Sequence, residues 1–320
     1  MKKKWFLLCL VCSALILAGG IQASFAQDKY PSKPVEIIVS WAAGGATDVL
    51  FRALGAVFPK HANNQQMIVK NIPGGGAAIG YTEAMKAKGD GYTLVAVATP
   101  MITKIHMSVV KFSATTFAPV ILIADNACFL LVHKDSPYKN LKDLHQASKK
   151  KSLNCSVSGM GSRSHLNAMI LKDKVGVNLE VVPFKGSAPA MMALLGGNVD
   201  LSTLDDLTIL LQKEKVRSLA IFAEKRSAKF ADAPTLKELG YDIPLPDAAI
   251  GICGPPGLSP EARKVLSESL ARAIKTPEFM SRIDKLGPTP IYLPGTEFQA
   301  LAEASYRFVE EYKDLLQESK

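Results

Sequence analysis

The sequence predicts an α/β protein built on open, largely parallel sheets. Three observations point there. Val35 to Ser40 (VEIIVS) is a continuous β-branched run, the pattern of a strand buried on both faces. The order apolar strand, glycine or small-polar loop, helix then recurs along the chain. Hydrophobic residues make up 48% and charged residues 21% of the 320 positions, a globular balance that excludes a disordered chain and gives no sign of a multi-span membrane protein.

Taken in order, the first strand runs into Ala42-Ala43-Gly44-Gly45, and Leu50, Leu54, Val57 and Phe58 then fall at helical spacing, with Thr47 or Asp48 as caps and Pro59 as the stop. A strand at Met67 to Lys70 leads into Asn71-Ile72-Pro73-Gly74-Gly75-Gly76. The helix that carries Ile79, Ala84 and Met85 ends at Gly89, and Asp90-Gly91 turns into a strand from Tyr92 to Ala98. After a crossover through Phe117 to His133 come a strand at Leu153 to Val157, the loop Ser158 to Ser162, and a helix with Leu166, Met169 and Ile170. Leu179 to Val182 enters Pro183-Phe184-Lys185-Gly186-Ser187 before a helix stopped by Gly196-Gly197, and Val199 to Thr203 is a further strand ahead of Asp205-Asp206. From Ser259 onward the pattern reads as helix: Ser259 caps, Pro260 takes the first helical position, and Ala262, Val265, Leu266, Leu270, Ala273 and Ile274 form one apolar face.

The N-terminus is a separate segment. Lys2, Lys3 and Lys4 precede an apolar run from Trp5 to Ala18 that is shorter than the ~20 residues of a membrane span, and Ser24-Phe25-Ala26 fits a cleavage site, so residues 1–26 are expected to be a signal peptide removed on export. Its loss takes three lysines from a formal charge of +9 and leaves +6. The lysines are scattered and aromatics are 7%, so the chain lacks the basic, aromatic platform of a nucleic-acid groove. Cys9 and Cys12 leave with the signal. Cys128, Cys155 and Cys253 remain, too few and too scattered for a disulfide framework, although one pair is possible; they read as small core residues.

In an open parallel sheet ligands bind beyond the carboxyl ends of the strands, which places the candidate site on the strand-to-helix loops. Four of these are made of glycine and small hydroxyl residues that bare backbone N–H groups at helix N-termini, a setting that suits an anion. The alternative is that the glycines only shape tight turns. Enzyme signatures are weak. Gly74 to Gly80 has glycines at the wrong spacing for a dinucleotide fingerprint, Tyr138 to Lys142 is a chance Y-x-x-x-K, and no nucleophile elbow, P-loop or H-E-x-x-H occurs. The five histidines never pair at ligand spacing, and only His165, three residues after Ser162 at a helix start, ranks as a site candidate, with capping or packing as the rival role. No metal or cofactor is expected.

These loops carry a resemblance. Tyr30-Pro31-Ser32-Lys33-Pro34, Ala43 to Asp48 with Arg52, Asn71 to Gly76 with Ile79-Gly80, Asp90 to Leu94, Ser158 to Ser162 with His165-Leu166, Val182 to Ala190 and Leu194 to Asp200 together resemble the periplasmic substrate-binding proteins of tripartite tricarboxylate transporters, the TctC or Bug family, over essentially the whole mature chain. Ala233-Pro234-Thr235 and Gly254-Pro255-Pro256-Gly257 fit its later segments. The resemblance implies a two-lobed periplasmic binding protein fold, type II-like, with open sheets flanked by helices and a ligand cleft between lobes. Lobe 1 would be residues 27–125 plus 250–320 and lobe 2 residues 126–249. It also implies that Ala43, Gly44, Gly45 and Asp48 face Gly74, Gly75, Gly76 and Ala77 on one side of the ligand, while Ser158, Ser162, His165, Lys185 and Gly186 approach from the other. Two departures stand out. Ala43 replaces the family's usual proline before the first Gly-Gly, and Leu201 to Asp206 replaces the usual Met-Phe and prolines. In members that bind amino acids an acidic residue near this region suits an ammonium; Asp205 or Asp206 would meet one here, or would cap the following helix.

The expected function is non-enzymatic capture, by a periplasmic monomer, of a small anionic carboxylate (a di- or tricarboxylate, amino acid or aromatic acid) for delivery to membrane permease subunits. The rivals are an exported enzyme on the same fold, using Ser162, His165 and Lys185, and a sensor component that presents ligand to a receptor.

Overall fold

The computed structural model describes residues 29–98, 103, 105–106, 110–113, 115–125, 127–205, 209, 212–243, 249–286 and 289–318; the expected signal peptide, and Asp206, lie outside them. Two mixed sheets carry the fold. The first is ordered β11-β4-β10-β3-β1-β2 and the second β7-β6-β8-β5-β9.

The strands of the first sheet are β1 (Val35–Val39), β2 (Met67–Asn71), β3 (Thr93–Val97), β4 (Ala118–Asp125), β10 (Ala249–Gly254) and β11 (Thr289–Pro294). β1 runs parallel to both β2 and β3, so the loops leaving β1 and β2 emerge side by side at one end, as right-handed crossovers require. The crossing helices are α1 (Ala46–Val57) and α2 (Ala78–Ala84). Ile37, Val39, Phe51, Leu54 and Tyr81 are sealed from solvent between helices and sheet. The expected crossover at Phe117 to His133 resolves into β4 and β5 (Cys128–His133), one strand in each sheet, so this segment is where the chain changes sheets.

The second sheet adds α3 (Leu141–Ser148), β6 (Leu153–Val157), α4 (Arg163–Asp173), β7 (Leu179–Pro183), α5 (Ser187–Leu195), β8 (Leu201–Asp205) and β9 (Val216–Phe222). β6 is parallel to β7 and β8, while β5 is antiparallel to β8 and β9. Strand periodicity divides the core of β5: Cys128, Leu130 and Val132 pack on one face, Phe129 and Leu131 on the other. The three cysteines are free and buried, and burial pushes the thiols of Cys128 and Cys155 up to about 12.

The last stretch departs from the all-helical expectation. α6 (Pro260–Ile274) starts as read, with Ser259 Oγ accepting the N–H of Ala262, and α7 (Pro277–Leu286) follows. β11 then joins the edge of the first sheet, antiparallel to β4. Its Pro290 and Pro294 are tolerated because an edge strand keeps one side free of ladder bonds. α8 (Gly295–Glu310) packs on β4, and α9 (Lys313–Glu318) crosses to the other sheet, where Val309, Tyr312 and Leu316 pack on Leu166 and Ile170 of α4. Among the described residues no helix is long and apolar enough to cross a membrane.

Candidate ligand cleft between the two sheets

The loop after β1 is fixed by one buried carboxylate. Asp48, in the first turn of α1, accepts the N–H of Gly44 (2.8 Å), the guanidinium of Arg52 (2.9 and 3.0 Å) and the amide of Asn71 (3.0 Å), and Asn71 also donates to the Trp41 carbonyl (3.1 Å). Burial opposes its ionisation, but the bonds from Arg52, Gly44 and Asn71 and the Arg52 charge outweigh it and hold the carboxyl below its ordinary value. Asp48 therefore ties the β1 loop to the end of β2. The cap position of α1 falls to Gly45, without a side-chain bond, rather than to Thr47 or Asp48.

The neighbouring loop is conformationally unusual. Gly74, Gly75, Gly76 and Ala77 have φ of 126°, 58°, 58° and 77°, four consecutive residues in the region that disfavours side chains, with Ala77 the one non-glycine among them. Ile72 anchors the loop by donating to Val39 O (2.9 Å). The N–H groups of residues 74–77 make no hydrogen bond among the described residues, so they are donors awaiting an acceptor.

From the second sheet, a knot of hydroxyls shapes the loop after β6. The Ser158 N–H and Oγ meet Ser164 Oγ (2.7 and 2.9 Å), Ser162 Oγ lies 2.8 Å from the same oxygen, and Ser162 caps α4 by accepting the N–H of His165 (3.1 Å). The imidazole of His165 is buried, and its Nδ1 accepts from Gly161 N–H (3.0 Å). Ser162 and His165 thus meet through a backbone donor, which is helix-cap geometry rather than a nucleophile handing its proton to a base. After β7, Ser187 Oγ donates to Asp205 (2.8 Å) at the start of α5.

The two sets of loops touch. Ala42 N–H donates to Lys185 O (3.1 Å), and the hydroxyl of Thr103 bonds to the Gly161 carbonyl. A Cβ on Gly159 would stand 3.1 Å from Gly76 Cα, and one on Gly45 would stand 3.9 Å from Ser187 N. Such approaches bring the N-termini of α1, α4 and α5 to one seam, concentrating partial positive charge there.

A cleft of about 260 Å³ lies in the seam. Of the residues singled out from sequence, Gly74, Gly75, Gly76, Ala77, Ser158 and Lys185 line it; Ala43, Gly44, Gly45, Asp48, Ser162, His165, Gly186 and Asp205 stand behind or beside that lining. Ser40, Trp41, Gly159, Met160, Pro183 and Phe184 line it too and were not singled out. Each lies within three residues of one that was, so strand-end position was the available signal. Among the described residues, Lys185 is the only charged one in the lining. Among the described residues no three His, Cys, Asp or Glu side chains group as metal ligands.

Comparison with known proteins follows the same lines. The family model "Tripartite tricarboxylate transporter family receptor" matches residues 51–313. The periplasmic binding protein BugD superposes with a TM-score of 0.83 at 30% identity, over 89% of this chain and 98% of that one. MatC (Rpa3494) from Rhodopseudomonas palustris with bound malate gives 0.79 at 25% identity, over 90% and 100% of the two chains. R. palustris Rpa4515 with adipate gives 0.82 at 26%, over 90% and 98%.

Proposed function

The chain belongs to the tripartite tricarboxylate transporter receptor family, and from that premise we propose that it captures a small dicarboxylate in the cleft and passes it, unchanged, to the membrane subunits of a tripartite transporter. Family and fold are those of solute-binding proteins. The observation that carries the reading is the row of N–H groups at Gly74 to Ala77, unpartnered among the described residues, in a loop that lines a cleft where Lys185 is the one charged residue among the described lining. One carboxylate would take those amides, each such bond contributing roughly 1.5–3 kcal/mol when the acceptor is charged. Ser158 and Lys185 would receive the far end. Two structural relatives hold malate and adipate, both dicarboxylates. The cleft volume of about 260 Å³ sits below the ~300–1,000 Å³ of sites for drug-sized molecules, which suits an acid of few carbons.

Asp48, Ser162 and His165 act on this reading by holding the loops, and Asp205, engaged by Ser187, supports the start of α5 rather than meeting an ammonium. The sheets support lobes at residues 27–125 with 250–320 and at 126–249 that close on ligand, with contacts to both made only in the closed state. Export behind the 1–26 signal would place the protein in the periplasm.

A thermal-shift screen of the mature chain against mono-, di- and tricarboxylates, amino acids and aromatic acids tests the proposal, with turnover assayed on each stabilising compound. Dicarboxylates should stabilise most and be recovered intact, and the Gly75→Val/Gly76→Val variant should lose the response. Consumption of the compound, or stabilisation that survives the double substitution, would overturn it.

A further inference from the structure

A second and larger cavity, about 480 Å³, opens beside the first half of β9 and shares no lining residue with the cleft. Lys134, Lys213, Arg217 and Lys229 line it against one acid, Asp232. Their contacts hold the cations in place without neutralising most of them. Arg217 gives its guanidinium to three main-chain carbonyls, of Lys134 (2.7 Å), Tyr138 (3.2 Å) and Ser136 (3.5 Å). Lys213 Nζ donates to the Lys229 carbonyl (3.2 Å) and stands 5.4 Å from the centre of the Phe230 ring. Among the described residues Lys229 alone of the four has an acidic partner: it reaches Asp284 of α7 through both the carbonyl (2.6 Å) and the carboxylate (3.2 Å), and that carboxylate is 81% exposed.

A concave wall carrying one sign of charge over an apolar floor, here Val216, Phe230, Ala231 and Ala233, concentrates counter-ions. The volume falls within the ~300–1,000 Å³ of ligand sites. We propose that this cavity is a second carboxylate site, separate from the cleft, that takes a ligand carrying two or more carboxylates. An incoming carboxylate competes with exposed Asp284 for Lys229. Because Lys229 belongs to the segment after β9 and Asp284 to α7, which packs on β11 of the other sheet, occupancy loosens one of the ties between the two sheets' halves. The same chemistry has two sources, a free polycarboxylate and an acidic segment of a partner subunit.

The test uses isotope-labelled mature chain titrated at low ionic strength with tricarballylate in one arm and a hexaglutamate peptide in the other. The expected result is a saturable shift of the Val216, Ser218, Ala231 and Ala233 amides that weakens with added salt. The Lys134→Gln/Lys213→Gln variant changes two exposed side chains and spares Arg217, which holds the 134–138 turn. It should bind roughly tenfold more weakly, the scale of one charge-assisted bond. A response to the peptide alone assigns the site to a partner's segment, and a response to tricarballylate alone assigns it to a free acid. Shifts confined to Gly75 and Gly76, diffuse shifts without saturation, or undiminished affinity in the double variant would overturn the proposal.

Discussion

The main-chain N–H of Ala42 donates to the main-chain carbonyl of Lys185 across the cleft, at 3.1 Å. Neither side chain takes part. A bare Gly186 gives this approach its room: a Cβ there would stand 3.1 Å from Ala42 N and 3.3 Å from Ala42 Cβ, on a backbone with φ of 141°. At this point the seam is closed by peptide groups and by the absence of a side chain, and it is sensitive to a single methyl group.

Gly159→Ala should impair closure. The new methyl would lie 3.1 Å from Gly76 Cα on a backbone with φ of 142°, and a residue held in such a region costs about 1–3 kcal/mol. Ligand affinity should fall roughly tenfold or more, since about 1.4 kcal/mol is a factor of ten. Calorimetry gives the affinity and X-ray scattering the ligand-induced contraction; an unchanged Kd with normal contraction would refute the sealing role.

Asp48→Asn should destabilise the chain by roughly 1.5–3 kcal/mol at neutral pH, the range for hydrogen bonds to a charged group. The native carboxyl titrates below its ordinary value, so its contribution is complete above the unfolded-state pKa and is lost as pH falls through the native one. Urea melts at several pH values should therefore show wild type and variant converging in acid. A constant gap down to the acid limit would mean that charge is not what Asp48 supplies.

Lys185→Met should weaken dicarboxylates more than monocarboxylates, by roughly tenfold for the former at low salt. Competition binding of a matched mono- and diacid pair checks this. Equal losses for both would assign Lys185 to the shape of its loop rather than to the far carboxylate.

Leu316→Ala should cost about 2–4 kcal/mol, because Leu316 is fully buried against α4 and truncation leaves a void. Denaturant unfolding measures it. A change below about 0.5 kcal/mol, the level of an ordinary surface substitution, would show that α9 is undocked in solution.

Much of this architecture was legible because strands buried on both faces advertise themselves. Val35–Val39 (VEIIV) is a mostly apolar run, Leu153–Val157 (LNCSV) keeps Leu153, Cys155 and Val157 at alternate positions, and each leads into a glycine-bearing loop that reaches the seam. β11 was hidden because Thr289–Pro294 is an edge strand bracketed by prolines, a composition that local pattern reads as a break. β9 and β10 were hidden for a different reason: nothing next to them in sequence declares their antiparallel partners, β5 for the one and β3 and β4 for the other. At the cleft, glycine loops signalled Gly74 to Gly76 directly. Trp41 and Phe184 carry ordinary core side chains, and only the position of a strand end distinguishes them. The support role of Asp48 depends on Asn71, 23 residues away, and no spacing rule reports such a contact.

Trp41 has one more consequence. The sequence holds two tryptophans, Trp5 in the segment expected to be cleaved and Trp41 in the cleft wall, edge-on to Tyr81. In a chain lacking residues 1–26, the indole emission of the whole molecule would come from one ring lining the cleft. On the proposed reading, such an unlabelled chain would be its own optical gauge of occupancy.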